Sequence, residues 1–145
     1  MSMNNKAQFT KKELEVIFGG ESLHNFKKDF SCTGISIDSR TIAPGNIFTA
    51  IKGERFDGHD KAVEVFEKGA SAAVVNKRFH EKYPELFQKY PFVVVNDTIG
   101  ALGSMASFHR NRFDIPIVAI GGSNGKTTTK NMAAALLSQK FNVIE

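Results

Sequence analysis

The side chains best suited to chemistry lie in one short stretch near the carboxyl end of the 145-residue chain. The stretch consists of Gly121, Gly122, Ser123, Asn124, Gly125, Lys126, Thr127 and Thr128. Glycines let a phosphate approach the backbone without a Cβ clash, and the N–H groups that begin a helix attract negative charge. In this interpretation Lys126 contacts the terminal phosphates of ATP and the Thr127 hydroxyl binds Mg²⁺, so both are candidate catalytic residues.

The pattern is a short form of the phosphate-binding loop. Gly122 to Thr127 matches G-x-x-G-K-T, whereas the longer form requires a glycine where Ile120 stands. The alternative is a glycine-rich turn that begins a helix and leaves Lys126 in solvent. The flanking sequence favours the phosphate site, because an apolar run at 116–120 predicts a strand before the loop and residues 126–139 predict a helix after it.

Strands and helices alternate along the rest of the chain, which predicts an α/β fold with a parallel sheet. Apolar or alternating runs predict strands at 34–37, 47–51, 72–75 and 92–95. Helices are predicted at 11–18, at 60–68, over an interrupted stretch at 77–90, and from Asp97 to about Arg112. A capping box of Thr10 and Glu13 begins the first helix. In the last helix we expect a buried stripe of Ile99, Leu102, Ala106 and Phe113.

The predicted domain boundary falls near Phe113, which gives residues 1–113 and 114–145. The second part holds only a strand, the loop, a helix and the start of a strand at 141–144. Such a unit cannot cover both faces of a parallel sheet. We therefore expect either a fragment of a larger domain, which we favour, or a segment that docks on the first part.

Composition excludes several classes of function. The net charge is +4 without a dense block of lysine and arginine, so we expect no nucleic-acid partner. Cys32 is the single cysteine, which excludes an internal disulfide and a cysteine metal cluster, and we expect it to be buried without a chemical role. No apolar stretch could act as a signal peptide or cross a bilayer. We expect a cytoplasmic monomer that does not bind membranes.

A second group of motifs lies upstream of the loop. In order, these are Asp38-Ser39-Arg40, the run from Pro44 to Ala50, Gly53, Phe56-Asp57-Gly58-His59 and Gly69-Ala70. Together with the short loop and Thr128-Thr129-Lys130, they resemble the Mur ligase family, and the resemblance covers the chain from about Gly34 onward. Thr129-Lys130, Asp97-Thr98 and His109-Arg110 are most similar to the members that add D-alanyl-D-alanine. The members that add the third amino acid of the peptide are the alternative.

The resemblance implies a UDP-substrate domain at 1–113, followed by the start of a Rossmann-like ATPase domain at 114–145. It implies that ATP phosphorylates the terminal carboxylate of UDP-N-acetylmuramoyl-tripeptide, and that D-alanyl-D-alanine then displaces phosphate to form an amide. The residues it implies for the UDP substrate are Ser39, Arg40, Asp57, Gly58 and His59.

The chain departs from the family in two ways. Gly121 stands where the family usually has threonine, which removes a hydroxyl next to the phosphates. In the family, a catalytic glutamate, a carbamylated lysine and a second Mg²⁺ ligand lie downstream of the loop, at positions that this sequence does not contain. We therefore expect the 145 residues to have no ligase activity by themselves.

Other interpretations remain open for the upstream residues. Asp38-Ser39-Arg40 could be a loop with a local salt bridge, and Asp57, Gly58 and His59 could form a turn that begins a helix. Lys52 is more consistent with a solvated lysine than with a phosphate ligand. The chain could also be a binding module for a UDP-sugar peptide without turnover, or part of an unrelated P-loop ATPase or kinase.

Overall fold

A computed structural model describes residues 6–144. The chain divides into two compact units, Met1–Phe113 and Asp114–Glu145, whose outermost residues 1–5 and 145 lie outside the described range. We call them unit 1 and unit 2.

Unit 1 contains short strands and helices in alternation. Its strands are β1 (Gln8–Thr10), β2 (Leu23–His24), β3 (Ser31–Thr33), β4 (Ile35–Ser36), β5 (Ile47–Thr49), β6 (Ala72–Asn76) and β7 (Phe92–Val95). Its α-helices are α1 (Lys11–Phe18), α2 (Glu64–Glu67), α3 (Lys77–Lys82) and α4 (Thr98–Arg110). Three 3-10 helices are formed by Gly20–Ser22, Gly58–Lys61 and Pro84–Gln88.

The main sheet has the strand order β2-β7-β6-β5-β4. The strands β4, β5, β6 and β7 run parallel, and β2 pairs with β7 in the antiparallel direction. A separate antiparallel pair joins β1 and β3. The prediction of an α/β fold with a parallel sheet is therefore confirmed.

Alternate residues of the sheet enter two apolar clusters, one on each face. On the first face, which we call the α3 face, Phe79 of α3 packs with Val75 and Phe92 of the sheet. On the opposite face, which we call the α4 face, Met105 of α4 packs with Val74. Because both faces are covered, the central strands β6 and β7 are almost entirely apolar, as expected for parallel sheets.

The first helix begins as the sequence predicts. The Thr10 hydroxyl accepts a hydrogen bond from the Glu13 N–H, and the Glu13 carboxylate accepts one from the Thr10 N–H at 2.8 Å. Gly19, with φ of 84°, ends the helix. The capping box is therefore confirmed.

Cys32 is 3% exposed on the α4 face. Burial raises the pKa of its thiol to about 11, so the thiol stays protonated at neutral pH. A buried cysteine without reactivity agrees with the sequence prediction.

Two helices differ from the prediction in detail. The expected helix at 60–68 is divided between the 3-10 helix Gly58–Lys61 and the single turn α2. Of the stripe expected on α4, Leu102 is partly buried against the α4 face, but Ile99 is 60% exposed and the buried residues of the helix are Thr98, Ala101 and Met105.

Unit 2 contains the helix α5 (Lys126–Leu137), as predicted, but neither of its two predicted strands. Residues 116–120 and 141–144 have no regular secondary structure. A strand needs a neighbour for its backbone hydrogen bonds, and the described part of unit 2 provides none. Ile117 and Val118 are 63% and 70% exposed. Across residues 6–144, every helix is too short or too polar to cross a bilayer.

Candidate functional site

The predicted substrate residues of unit 1 follow the carboxyl ends of parallel strands. Asp38-Ser39-Arg40 comes after β4, and Asp57-Gly58-His59 ends the loop after β5. Since β4 and β5 are neighbours in the sheet, both segments lie at the same edge. Ligands of open α/β sheets commonly bind at this edge.

Arg40 forms a bidentate pair with Asp38 rather than standing alone. Its Nε and Nη2 atoms donate to the two carboxylate oxygens of Asp38 at 2.9 and 2.7 Å, and its backbone N–H donates to Oδ1 at 2.9 Å. The guanidinium remains 85% exposed. The local salt bridge considered from the sequence is therefore present, and it holds the exposed Arg40 head in one orientation at the sheet edge.

Ser39 lies between the two members of this pair in the sequence. It is 7% exposed, and its carbonyl accepts a hydrogen bond from Lys68 Nζ at 2.8 Å. Within the described residues its hydroxyl has no hydrogen-bond partner. The Ser39 hydroxyl is not completely enclosed, so it is available to a ligand, which is consistent with the predicted role of Ser39 in ligand binding.

The pairing with Arg40 should give the Asp38 carboxyl an unusually low pKa. Hydrogen bonds from the Arg40 side chain and backbone lower the pKa of Asp38 to about 2. Since the folded-state pKa lies below the unfolded-state value, the pair stabilises the fold at neutral pH, and this contribution is lost as the pH falls through about 2. Replacing Arg40 with alanine should move the Asp38 pKa toward about 3.9, as measured by NMR titration of the carboxyl carbon. Replacing the exposed Arg55 should leave it unchanged, and an unchanged pKa in Arg40→Ala would contradict the structure.

His59 links the loop after β5 to the end of β6. It is 7% exposed, its Nδ1 atom lies 2.6 Å from Asp57 Oδ1, and its Nε2 atom accepts the backbone N–H of Asn76 at 3.1 Å. Because Nε2 accepts, the proton of the neutral ring is on Nδ1 and is donated to Asp57. Both ring nitrogens are therefore occupied within the protein.

Asp57 is held in turn by His59. Burial raises the pKa of Asp57, but hydrogen bonds from the His59 backbone and ring outweigh this effect, so the pKa lies below its usual value. Asp57 also begins the 3-10 helix by accepting the His59 N–H at 3.0 Å. The turn considered from the sequence is therefore present, and Asp57 is ionised within it at neutral pH.

Gly58 lies where no side chain fits. A Cβ at this position would be 2.8 Å from the N atom of Ile51 and 2.9 Å from its carbonyl oxygen. The Gly58 N–H also donates to that carbonyl oxygen at 2.9 Å. Gly58 thus allows the turn to return against the end of β5.

Two adjoining cavities lie at the carboxyl edge of the sheet. One has a volume of about 360 Å³ and the other about 400 Å³, and both are lined by Lys52, His59 and Asn76. Neither is lined by Ser39 or Arg40, so the structure separates the two predicted groups. Asn76 lines both cavities and Asn96 lines the smaller one, and neither was predicted from the sequence. The signal that could have found them is a polar residue directly after each apolar run of β6 and β7.

In unit 2 the glycine-rich loop leads directly into α5. Gly125 begins the helix in a left-handed conformation, with φ of 74° and ψ of 1°, which glycine adopts at little cost. No side chain caps the first turn of α5, and the turn contains no acidic residue. Its first N–H groups are therefore available to an anion.

Lys126 folds back over the loop. Its Nζ atom donates to the carbonyl oxygen of Gly122 at 2.6 Å. Thr127 and Thr128 are exposed in the first turn. A Cβ added at Gly121 would meet no atom within 4 Å, so the loss of the family's usual threonine leaves open space rather than a blocked site.

These residues fit a nucleotide phosphate and Mg²⁺. The helix N-terminus supplies N–H donors, Lys126 supplies a positive charge, and the Thr127 hydroxyl supplies one oxygen for Mg²⁺. Mg²⁺ commonly takes further ligands from substrate phosphates and water.

A comparison with protein families matches residues 31–110 to a family described as "Mur ligase family, catalytic domain". The matched region runs from β3 to the end of α4 and ends before the phosphate loop.

Curated and solved proteins agree with this match. The chain is 38% identical over 116 residues to UDP-N-acetylmuramoyl-tripeptide--D-alanyl-D-alanine ligase of Escherichia coli, which covers 80% of the chain and 24% of that protein. It resembles the crystal structure of MurF from Acinetobacter baumannii, with a TM-score of 0.77 and 30% identity over 94% of the chain and 29% of the other. It also resembles MurF ligase from Thermotoga maritima in complex with ADP, with a TM-score of 0.61 and 30% identity over 76% of the chain and 24% of the other. The chain spans about a quarter of the length of these relatives.

Proposed function

The chain belongs to the Mur ligase family, and from this premise we propose that it supplies the substrate domain and the phosphate loop of an ATP-dependent ligase of peptidoglycan synthesis. The proposed reaction joins D-alanyl-D-alanine to UDP-N-acetylmuramoyl-tripeptide in the cytoplasm. The observation that carries the proposal is the 38% identity to the Escherichia coli ligase of that name over 80% of the chain. The proposed specificity for D-alanyl-D-alanine concerns the whole protein, of which these residues are about a quarter.

In this proposal unit 1 binds the UDP end of the substrate. Arg40 suits a diphosphate, because its exposed guanidinium is already oriented by Asp38. Ser39 contributes its unpartnered hydroxyl at the same edge. Asp57 and Gly58 form the neighbouring turn, and His59 holds that turn against β6.

Unit 2 binds the phosphates of ATP in this proposal. Residues 121–125 form the loop, Lys126 releases the Gly122 carbonyl to contact the phosphates, and Thr127 holds Mg²⁺. Thr128 adds a hydroxyl and an N–H group in the first turn of α5. MgATP supplies the phosphoryl group that activates the substrate carboxylate for attack by the amine of D-alanyl-D-alanine. The loop contributes electrostatic stabilisation of the transferred phosphoryl group.

The experiment that tests the proposal is a thermal-shift titration of the chain with UDP-N-acetylmuramoyl-tripeptide, with MgATP in a parallel arm. A ligand at one hundred times its dissociation constant stabilises the folded state by about 2.7 kcal/mol, which is readily detected. We expect a shift with the UDP ligand that is reduced in Arg40→Ala. A shift with MgATP but none with the UDP ligand would replace the proposal with a different P-loop ATPase. Lys126→Ala is the control for the MgATP arm, since it should abolish any shift there.

A further inference from the structure

The connections that follow β6 and β7 leave the sheet of unit 1 toward opposite faces. From β6 the chain enters α3, whose Phe79 packs on the α3 face, whereas from β7 it enters α4, whose Met105 packs on the opposite face. The two helices leave adjacent parallel strands toward opposite sides, which opens a crevice at the strand ends. Crevices of this kind are the usual ligand sites of open α/β sheets.

The cavity of about 360 Å³ occupies this crevice. Its lining includes Asn76 at the end of β6, and Asn96, Asp97 and Thr98 after β7. The exposed Lys52, after β5, reaches the same cavity. The volume lies at the small end of the range for ligand pockets, which suits a single ring.

Thr98 points to a ligand in this cavity. It is 7% exposed, and within the described residues its hydroxyl has no hydrogen-bond partner. Thr49 is a second buried threonine that can be compared with Thr98. Its hydroxyl is also without a hydrogen-bond partner, but it is completely closed off from solvent. The Thr98 hydroxyl is not closed off in this way, and the space that Thr98 lines is the crevice. A ligand in the crevice could therefore satisfy it.

The charges of the crevice disfavour an anion. Asp97 Oδ1 accepts the Ile99 N–H at 2.9 Å and so caps the N-terminus of α4. Its other oxygen lies against Gly100, where a Cβ would be 2.9 Å from Oδ2. A bound phosphate would therefore face a carboxylate. The remaining lining offers one ammonium, two side-chain amides and a hydroxyl, a mixture of donors and acceptors that matches the hydroxyl groups of a sugar.

We propose that this crevice is a subsite for a hydroxyl-bearing sugar ring, with the Thr98 hydroxyl, the Asn96 amide and the Lys52 ammonium as its hydrogen-bonding groups. The inference rests on the proposed function, because the sugar is then part of the UDP-linked substrate. Two rings of that substrate have this chemistry, namely the ribose of the nucleotide and the muramoyl sugar. Ser39, Arg40 and the turn at Asp57 bind other parts of the ligand, because they lie outside this crevice or only form its wall.

The test compares Thr98→Val with the matched variant Thr49→Val by isothermal titration with UDP-N-acetylmuramoyl-tripeptide and with UDP. Both variants replace the unpartnered hydroxyl of a largely buried threonine with a methyl group, so both should fold with a melting temperature close to or above that of the wild type. Thr98→Val should weaken binding of the UDP-muramoyl ligand about tenfold, which corresponds to about 1.4 kcal/mol. Thr49→Val should bind like the wild type, and Thr98→Ser, which keeps the hydroxyl, should bind nearly as well.

The UDP arm identifies the ring. An equal loss of affinity for UDP in Thr98→Val would identify the ribose, and an unchanged affinity for UDP would identify the muramoyl sugar. Equal binding of the UDP-muramoyl ligand by wild type, Thr98→Val and Thr49→Val would overturn the subsite while leaving the proposed function in place. If the wild type bound neither ligand, the proposed function would fail together with the subsite.

Discussion

Replacing Gly58 with alanine should lower the free energy of unfolding of unit 1 by about 3 kcal/mol. The added Cβ would lie 2.8 Å from the Ile51 N atom and 2.9 Å from the Ile51 carbonyl oxygen. Both are backbone atoms at the end of β5, so no side-chain rotation can relieve the contact. Relief requires the turn to move away from the strand, which breaks the Gly58–Ile51 hydrogen bond and displaces His59 from Asn76.

Gly103 provides the matched control. It is solvent-exposed and lies in the middle of α4, and a Cβ added there would meet no atom within 4 Å. Gly103→Ala should therefore stabilise unit 1 by about 0.5–1 kcal/mol through higher helix propensity. Both variants are measured by urea unfolding with tyrosine fluorescence. The chain has two tyrosines and no tryptophan, and both tyrosines pack on the α3 face of unit 1. A Gly58→Ala variant as stable as Gly103→Ala would show that the turn at Asp57 is not packed against β5.

The same displacement would affect ligand binding. The turn at Asp57 and the end of β6 form the common wall of both cavities. Under conditions where Gly58→Ala is still folded, we expect weaker binding of the UDP-muramoyl ligand than in the wild type. Gly103→Ala lies outside the lining of both cavities and should bind normally.

The sequence predicts those parts of the fold that are encoded by neighbouring residues. Three such features depend on local spacing and occur in the structure. They are the capping box of Thr10 and Glu13, the N-cap of α4 at Asp97, and the buried runs of β6 and β7. The break in the helix before Pro84 is also local, because proline cannot continue it.

The sequence does not predict features that depend on distant partners. The buried face of α4 depends on how the helix packs against β6. Ala101 and Met105 are therefore buried, whereas Ile99, which the periodicity predicted to be buried, is exposed. Residues 116–120 have the composition of a strand, but the described part of unit 2 lacks a neighbouring strand for them to pair with. The link from His59 to Asn76 joins residues 17 positions apart and has no sequence signature.

The candidate site shows the same division. The resemblance to the Mur ligase family implies Ser39, Arg40 and the turn at Asp57, because the motifs that carry the resemblance are contiguous in the sequence. Thr98 becomes a candidate only when the directions of α3 and α4 are known, since the crevice exists because these helices leave the sheet on opposite sides. The roles of all these residues in binding remain predictions that the titrations test.

Replacing His59 with alanine is the second change with a large expected effect, about 3 kcal/mol of unfolding free energy. The variant removes a hydrogen bond to an ionised carboxylate and removes the acceptor of the half-buried Asn76 N–H. Bonds to charged groups contribute about 1.5–3 kcal/mol, and other hydrogen bonds contribute about 0.5–1.5 kcal/mol. Loss of packing between His59 and Phe79, whose rings lie 5.9 Å apart, adds to the effect. The measurement is again urea unfolding by tyrosine fluorescence.

Two further variants separate the two bonds of His59. Asparagine places an amide near the position of Nδ1 and can keep the contact with Asp57, whereas glutamine places an oxygen near Nε2 and can still accept the Asn76 N–H. Each should lose about 1–2 kcal/mol, less than the alanine variant, because each keeps one bond. If His59 instead contacted the ligand directly, the Asn and Gln variants would lose as much affinity as the alanine variant despite their smaller loss of stability. We expect the largest losses of both affinity and stability in the alanine variant and smaller losses of both in the Asn and Gln variants. This parallel would identify His59 as the residue that positions the turn at Asp57 for binding.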